Sequence, residues 1–268
     1  MSPTPFTLVT GAAGALGSEL VRALVERGHC VVALDHHEER LTELAQKLGL
    51  SRDATSGWWA DENVLALPLD ARSSDDWREV LSAATDWRLE QDPQENGTLV
   101  GRGAEEIYRI IDGAVLTAGG WRGGAPLYAP EAGSAWQAMF DSNLETARQA
   151  LQALLPPMVK AGRGRVVLIG SRAAVRPWES ANAAAYAAAK AAVVALVQAV
   201  AAEVLDSGVR VNAVLPSVID TPANRRAMPK ADPSRWVSTA SLARVISFLL
   251  SDDSLDISGA AIPVYGRA

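Results

Sequence analysis

Residues Thr10-Gly11-Ala12-Ala13-Gly14-Ala15-Leu16-Gly17 join an apolar run, Phe6–Thr10, to a segment with helical spacing, Gly17–Arg27. Backbone at a strand–helix turn can approach a ligand closely only where glycine or alanine leaves room. The N-terminus of the following helix adds free N–H groups and a partial positive charge. The stretch therefore predicts a turn that binds the diphosphate of a dinucleotide.

An acidic residue follows the second apolar run, at the position where a dinucleotide site binds the adenosine ribose. The second apolar run, Cys30–Leu34, is followed by Asp35, and His36 and His37 come next instead of arginine or lysine. A carboxylate at this point suits the two hydroxyls of an adenosine ribose and repels a 2′-phosphate. These residues predict NAD(H) in preference to NADP(H).

Apolar runs alternate with helical runs along the chain, which predicts a parallel sheet covered by helices. Further strands are expected at Val64–Leu69, Ile111–Leu116, Arg165–Ile169, Val209–Leu215 and Ala261–Val264. Further helices are expected at Glu38–Leu48, Asp75–Ala84, Ala135–Lys160, Ala183–Leu205 and Thr239–Leu250. No linker or repeat divides residues 1–268. We predict one α/β domain, a Rossmann fold with a seven-stranded, mostly parallel, doubly wound sheet.

Two polar stretches between these elements, near 51–63 and 86–103, are expected to be solvent-exposed loop insertions. The first carries Trp58 and Trp59 beside charged residues, and the second contains the turn-forming run Gln91–Gly97. The exposed aromatic residues could alternatively form a subunit contact.

The composition argues against several kinds of partner. The net charge is −6 without a basic block, so neither nucleic acid nor an anionic membrane is expected. The longest apolar stretch, around Ala191–Ala202, is too short to span a bilayer. The single cysteine, Cys30, cannot form an internal disulfide, which favours a reducing cytoplasm. The histidines His29, His36 and His37 make no metal-binding pattern, so no metal is expected.

Tyr186 and Lys190 lie four residues apart on an alanine-rich helix, which places both side chains on one face. A neighbouring ammonium and an oxidised nicotinamide would both lower the pKa of the phenol from about 10 toward neutrality. The phenol could then give a proton to a carbonyl oxygen as hydride arrives, or accept one in reverse. The spacing occurs by chance on many helices, so its meaning depends on the glycine turn upstream.

Taken together, these motifs resemble those of the short-chain dehydrogenases/reductases over essentially the whole chain. The resemblance rests on the glycine turn, Asp35, Asp70-Ala71, Thr117–Gly120, Asn143, Ser171, Tyr186 with Lys190, and Pro216–Thr221. It implies that Ser171 hydrogen-bonds the substrate oxygen, and that Lys190 also holds the nicotinamide ribose. Asn143 would hold a water in the proton relay. The implied activity is the interconversion of a ketone and an alcohol.

The resemblance also implies which residues contact the cofactor. Besides Asp35, Tyr186 and Lys190, they are Gly11, Ala13, Gly14, Ala15, Leu16, Gly17, Asp70, Ala71, Ala118, Gly119, Gly120, Pro216, Val218 and Thr221. Three positions depart from the family pattern: Ala15 and Ser217 replace glycines, and Thr117 stands where asparagine is common.

Three local stretches, Gly14–Ser18, Ala118–Gly124 and Val214–Pro229, resemble the dihydropteridine reductases. Ser171 is not typical of those enzymes, so reduction of a quinonoid pterin ranks second to ketone/alcohol chemistry. A substrate lid is expected near 217–238, where Arg225 and Arg226 either attract an anion or are simply solvated. The candidate walls of the substrate pocket, which could equally pack in the core or the lid, are Trp121, Trp178 and Trp236.

The expected helix Ala183–Leu205 is apolar nearly all round, so one of its faces needs cover other than the sheet. We predict a homodimer or tetramer that associates through this helix and the one at 135–160. A different class of function, a non-catalytic NAD-sensing protein, would use the same fold. Retention of Tyr186, Lys190, Ser171 and Asn143 favours the enzyme.

Overall fold

The computed structural model describes residues 4–54, 56–91 and 111–267. In its main sheet the strands are β1 (Phe6–Thr10), β2 (Cys30–Asp35), β3 (Ser51–Arg52), β4 (Trp59–Ala60), β5 (Val64–Pro68), β6 (Gly113–Leu116), β7 (Gly164–Ile169), β8 (Val209–Pro216) and β11 (Ala261–Val264). A second, small parallel sheet pairs β9 (Ile219–Asp220) with β10 (Val237–Ser238).

The helices are α1 (Ala15–Val25), α2 (Glu38–Leu48), α3 (Ser74–Gln91), α4 (Gly133–Phe140), α5 (Thr146–Ala161), α6 (Arg172–Val175), α7 (Ala184–Glu203), α8 (Pro222–Ala227) and α9 (Thr239–Leu249). They cover both faces of the sheet, so the sheet separates two apolar cores. Trp77, Leu154 and Val197 from α3, α5 and α7 lie in one core. Leu20 and Leu242 from α1 and α9 lie in the other.

The strands of the main sheet lie in the order β11-β8-β7-β6-β1-β2-β5-β4-β3, and all pairs from β11 to β5 are parallel. The predicted doubly wound α/β fold is thus confirmed. From β1 the chain first winds outward through β2 and β5, and then through β6 to β11 on the other side. This reversal leaves a crevice at the carboxyl ends of β1 and β6, which is where ligands of such sheets bind.

The insertion at 51–63 is not the solvent-exposed loop that we expected. It forms the β3–β4 hairpin, which pairs antiparallel with β5 and extends the described sheet to nine strands instead of seven. Trp58 and Trp59 are half-buried and pack against the two cores. The hairpin covers what would otherwise be an exposed edge of β5, which explains why aromatic residues stand among the charges.

The first part of the second predicted insertion, residues 86–91, is helical and not the loop that we expected. α3 continues to Gln91, and it buries Trp87 and Arg88, both of which approach Phe6. Asp86 is exposed while Trp87 and Arg88 are buried, so residues 86–88 form part of one more helical turn and not a loop. The remainder of the predicted insertion, 92–103, lies outside the described residues.

The single helix expected over 135–160 is two helices. A five-residue π-helical turn, Asp141–Glu145, separates α4 from α5. Such a turn changes the direction of the side chains on it and is frequent at functional sites. Here it carries Asn143, which is 2% exposed.

The apolar stretch around Ala191–Ala202, which we expected to be too short to span a bilayer, is part of the longer apolar helix α7. With 20 residues it is, by length and composition, long and apolar enough to cross a membrane. Half of it is buried inside the fold, where it packs against β8, α4 and α6. Packing inside the fold thus accounts for much of its apolar character.

Candidate active site

The glycine turn is closely packed against its neighbours. Gly11 has φ +64°, and a side chain there would come within 2.8 Å of the Thr117 hydroxyl. A Cβ at Gly17 would lie 2.1 Å from the Gly11 carbonyl oxygen, so only glycine allows α1 to start this close to the turn. Gly14 is the N-cap of α1 and brings no side-chain cap, which leaves the first N–H groups of the helix available for a ligand.

Asp35 is buried at the end of β2 and holds the turn in place. Its two carboxylate oxygens accept hydrogen bonds from the backbone N–H groups of Ala13 and His37, each at 3.0 Å. A carboxylate has about four acceptor positions, so it can still receive the two ribose hydroxyls. Asp35, which we expected to bind the ribose hydroxyls, therefore also stabilises the glycine turn.

A cavity of about 1140 Å³ runs from the glycine turn past Asp35 and Asp70 to the lid. The expected cofactor-binding residues that line it are Gly11, Ala13, Gly14, Ala15, Leu16, Gly17, Asp35, Asp70, Ala71, Ala118, Gly119 and Thr221. The expected ones that do not line it are Gly120, Tyr186, Lys190, Pro216 and Val218. Its far end, between Ile169 and Gly119, adjoins the residues expected to carry out the chemistry.

These residues fit a dinucleotide. The cavity has a turn that side chains would fill, an uncapped helix N-terminus, and a buried carboxylate at one end. When bound there, a nicotinamide dinucleotide would supply or accept a hydride. The glycine turn and α1 would hold the diphosphate of the dinucleotide. Asp35 would hold its adenosine ribose.

Thr117, which departs from the family pattern, ties β6 to β1. Its hydroxyl donates to the Thr10 carbonyl oxygen at 2.6 Å, and the Ala118 N–H donates to the Thr10 hydroxyl at 3.2 Å. The departure is therefore accommodated by a local hydrogen-bond pair. Ser217, another departure, donates its hydroxyl to the Tyr265 carbonyl oxygen at 2.7 Å and fixes the start of the lid to the chain after β11.

Asn143 is joined to the segment after β6. Its side-chain oxygen accepts from the Gly120 N–H at 3.3 Å, and its amide group donates to the carbonyl oxygens of Gly120 and Met139. A Cβ at Gly119 would lie 2.8 Å from the Asn143 oxygen and 3.6 Å from the Lys190 ammonium nitrogen. Asn143 and Lys190 therefore both lie close to Gly119.

The structure places Ser171 close to Tyr186. Ser171 follows β7 and is buried, and its hydroxyl oxygen caps α6 by accepting from the Ala173 N–H at 3.1 Å. Tyr186 is the third residue of α7, and the nearby Ser171 side chain acts to lower the pKa of its phenol. Ser171 thus both caps a helix and favours ionisation of the phenol.

The electrostatics of Tyr186 and Lys190 differ from the sequence expectation. Burial raises the pKa of Tyr186, and the nearby Ser171 side chain only partly opposes this. Burial also lowers the pKa of Lys190 to about 8, while its Nζ donates to the Ile169 carbonyl oxygen at 2.7 Å. Neighbouring charges that lower the pKa of the phenol can be predicted from the sequence, whereas the depth at which both groups are buried cannot.

The three candidate pocket tryptophans do not line the large cavity. Trp121 and Trp178 are 66% and 75% exposed, so neither packs in the core. Trp236 is half-buried beside β10 in the lid region. Their part in substrate binding stays a prediction.

Several residues that line the cavity were not among the predicted cofactor contacts. They are Thr10, Ser18, Arg40, Asp141 and Ser142. Arg226, which was predicted either to attract an anion or to be solvated, lines the cavity on its lid side. Arg40 stands five residues after Asp35 on α2, so its helical position was a usable signal. The others are brought in by contacts that no local pattern encodes. Among the described residues no group of three or more His, Cys, Asp or Glu side chains converges on a point.

Comparison with known proteins gives matches over nearly the whole chain. A family model described as short chain dehydrogenase matches residues 5–87. A second model, described as Enoyl-(Acyl carrier protein) reductase, matches residues 91–266.

Individual proteins align end to end with this chain. Chanoclavine-I dehydrogenase of Claviceps purpurea (strain 20.1) is 29% identical, with 96% of this chain and 94% of the relative aligned. The 2,5-dichloro-2,5-cyclohexadiene-1,4-diol dehydrogenase of Sphingobium indicum is 26% identical, over 97% and 94%. The crystal structure of levodione reductase superimposes with a TM-score of 0.76 at 26% identity, covering 98% of this chain and 96% of that one.

Proposed function

The chain belongs to the short-chain dehydrogenase/reductase family of oxidoreductases, and on that premise we propose that it interconverts a ketone and an alcohol with NAD(H). The observation that carries this proposal is the placement of buried Ser171 beside Tyr186, with Lys190 buried one turn further along α7. Two relatives are named as dehydrogenases, one of them of a diol, and a structural neighbour as a reductase, which supports chemistry on an alcohol or a carbonyl.

In the proposed reduction, Tyr186 is the general acid. Its phenol donates a proton to the substrate oxygen, and Ser171 donates a hydrogen bond to the same oxygen. The Lys190 ammonium stabilises the phenolate that forms, since an opposite charge nearby favours the ionised phenol. Asn143, next to Lys190, holds the water through which the proton is replaced. In the oxidation direction the same groups act in reverse.

We propose NAD(H) over NADP(H) because of Asp35. The family uses a nicotinamide cofactor, and the preference within it rests on this buried carboxylate. A 2′-phosphate at contact distance from it would meet a like charge.

The proposed setting is a reducing cytoplasm, where Cys30, a buried free thiol, stays reduced. The proposed substrate is a small molecule.

We also propose that copies of the chain associate with one another through the helices at 135–160 and 183–205.

The test is turnover of NADH and NADPH with a panel of simple ketones, diketones and a quinonoid dihydropterin. Oxidation of NADH with a ketone or diketone is the expected result. Turnover with the pterin alone would assign the activity to pterin reduction. Tight NAD binding without any turnover would indicate the sensor instead of the enzyme, and preference for NADPH would overturn the cofactor assignment.

A further inference from the structure

The charges that line the large cavity are not all neutralised. Of the arginines and lysines on its described walls, Arg72 pairs with Asp70 and Lys47 with Glu43. Arg40 and Arg226 make no ion pair with any described residue. Arg40 lies on α2, at the adenosine end of the cavity, whereas Arg226 belongs to the lid.

The lid helix α8 presents two adjacent arginines in different ways. Arg225 is held by Asp220 through two hydrogen bonds of 2.6 and 2.8 Å, and it does not line the cavity. Consecutive residues on a helix point about 100° apart. The pairing of Arg225 with Asp220 therefore leaves Arg226 to face the cavity.

The rest of α8 is fixed so that this direction is kept. The Thr221 hydroxyl caps the helix by accepting from the Asn224 N–H at 3.1 Å, and the Asn224 side-chain amide donates to the Ile219 carbonyl oxygen at 2.8 Å. Two of these contacts, Asn224 to Ile219 and Arg225 to Asp220, thus anchor α8 to β9, and the Thr221 cap fixes its first turn. An exposed side chain on a fixed helix can reach a ligand with little loss of backbone freedom.

We propose that Arg226 is a binding residue for the cofactor diphosphate, contacting it from the lid while the glycine turn and α1 hold it from the sheet. The inference rests on the proposed dinucleotide site. The diphosphate is the one anionic part of NAD(H), and the glycine turn lines the same cavity as Arg226. A guanidinium is well suited to it, because it donates parallel hydrogen bonds to phosphate oxygens.

The experiment compares Arg226→Gln with Lys230→Gln, which removes the same charge from an exposed lid residue that does not line the cavity. Calorimetry gives the dissociation constants of ADP-ribose, which contains the diphosphate, and of adenosine, which does not. Arg226→Gln should weaken ADP-ribose about tenfold and leave adenosine unchanged, as expected for loss of one charge-assisted contact. Lys230→Gln should stay within about twofold of the wild type for both ligands. Arg226→Lys should recover part of the loss.

Salt provides a second readout. The affinity of the wild type for ADP-ribose should fall more steeply with ionic strength than that of Arg226→Gln, because an exposed ion pair is screened. Circular dichroism establishes that each variant is folded.

Unchanged ADP-ribose binding by Arg226→Gln, or an equal loss in Lys230→Gln, would overturn the assignment while leaving the proposed function intact. Failure of the wild type to bind ADP-ribose at all would overturn both.

Discussion

Lys190 is the most strongly perturbed side chain of the candidate site. It is 6% exposed, and burial lowers its pKa to about 8 from 10.5. A buried ammonium costs free energy unless its charge is compensated, and here a single carbonyl oxygen, that of Ile169, accepts from it. The site thus keeps a cation in place at the expense of stability.

This has a consequence for the pH dependence of folding. Between pH about 8 and 10.5 the unfolded chain binds a proton at Lys190 that the folded chain has released. The free energy of unfolding should therefore rise with pH across this window, by on the order of 3 kcal/mol from this residue. Urea titrations of the wild type and of Lys190→Met measure it as the difference between the two pH profiles. Parallel profiles would show that Lys190 is not desolvated.

Tyr186 carries the proposed proton transfer. Tyr186→Phe keeps the ring but removes the proton donor, so turnover should fall by roughly 10²–10⁴-fold. NADH should still bind, since the glycine turn and Asp35 are untouched. Steady-state rates and fluorescence titration of NADH provide the two measurements. Undiminished turnover would remove Tyr186 as the acid.

Asp35 determines the proposed cofactor preference. Asp35→Ala removes the charge that opposes a 2′-phosphate, so the ratio of kcat/KM for NADPH to that for NADH should rise at least about tenfold. Asp35→Asn serves as the control for the hydrogen bond to Ala13, because it removes the charge but keeps an acceptor oxygen. A ratio that does not change in either variant would contradict the assignment.

At the scale of elements, the turn between β1 and α1 depends on two glycines in unequal ways. A Cβ at Gly17 would lie 2.1 Å from the Gly11 carbonyl oxygen, whereas one at Gly14 would lie 3.1 Å from it. The first distance forces the helix and the turn apart, and the second requires a small adjustment.

Gly17→Ala should therefore destabilise the protein by about 1–3 kcal/mol, the usual cost of overpacking. It should also weaken NADH binding, because the N–H groups of α1 move. Gly14→Ala is the matched control and should show less of both effects. Chemical denaturation and NADH titration of the two variants test this, and equal losses would contradict it.

The element bounds show how far sequence patterns reach. The glycine turn and the strands β1 and β2 lie where the apolar runs placed them, and α2 and β11 begin and end at the predicted residues. The π turn at Asp141–Glu145 could not be predicted, since its sequence continues a helical pattern on both sides. The β3–β4 hairpin was also missed, because two-residue strands give no periodicity.

At the scale of the whole molecule, α7 leaves a set of small exposed side chains. Ala184, Ala191, Ala195 and Ala199 are exposed along it, while other faces pack inside the fold. Exposure of such an apolar face to water is unfavourable. A second copy of the chain would cover the face, as the proposed self-association requires.

We predict that light scattering at micromolar concentration gives twice or four times the chain mass of 28.3 kDa. Ala195→Arg should shift the protein to a smaller species by placing a charge on the proposed interface. Gln46→Arg, an equivalent charge on the exposed side of α2, should not. A wild-type protein that is a monodisperse monomer would refute the assembly.

The fold class, the glycine turn and the Tyr186–Lys190 spacing could be predicted from the sequence alone, because alternation, periodicity and glycine positions are local patterns. Ser171 was singled out only by the resemblance to a family. Three features appear only in the folded chain: Asp35 accepts a hydrogen bond from Ala13, burial raises the pKa of Tyr186, and Arg226 lines the cavity while Arg225 does not. Each of these depends on contacts or on burial produced by residues distant in the chain, and a local pattern holds no record of either.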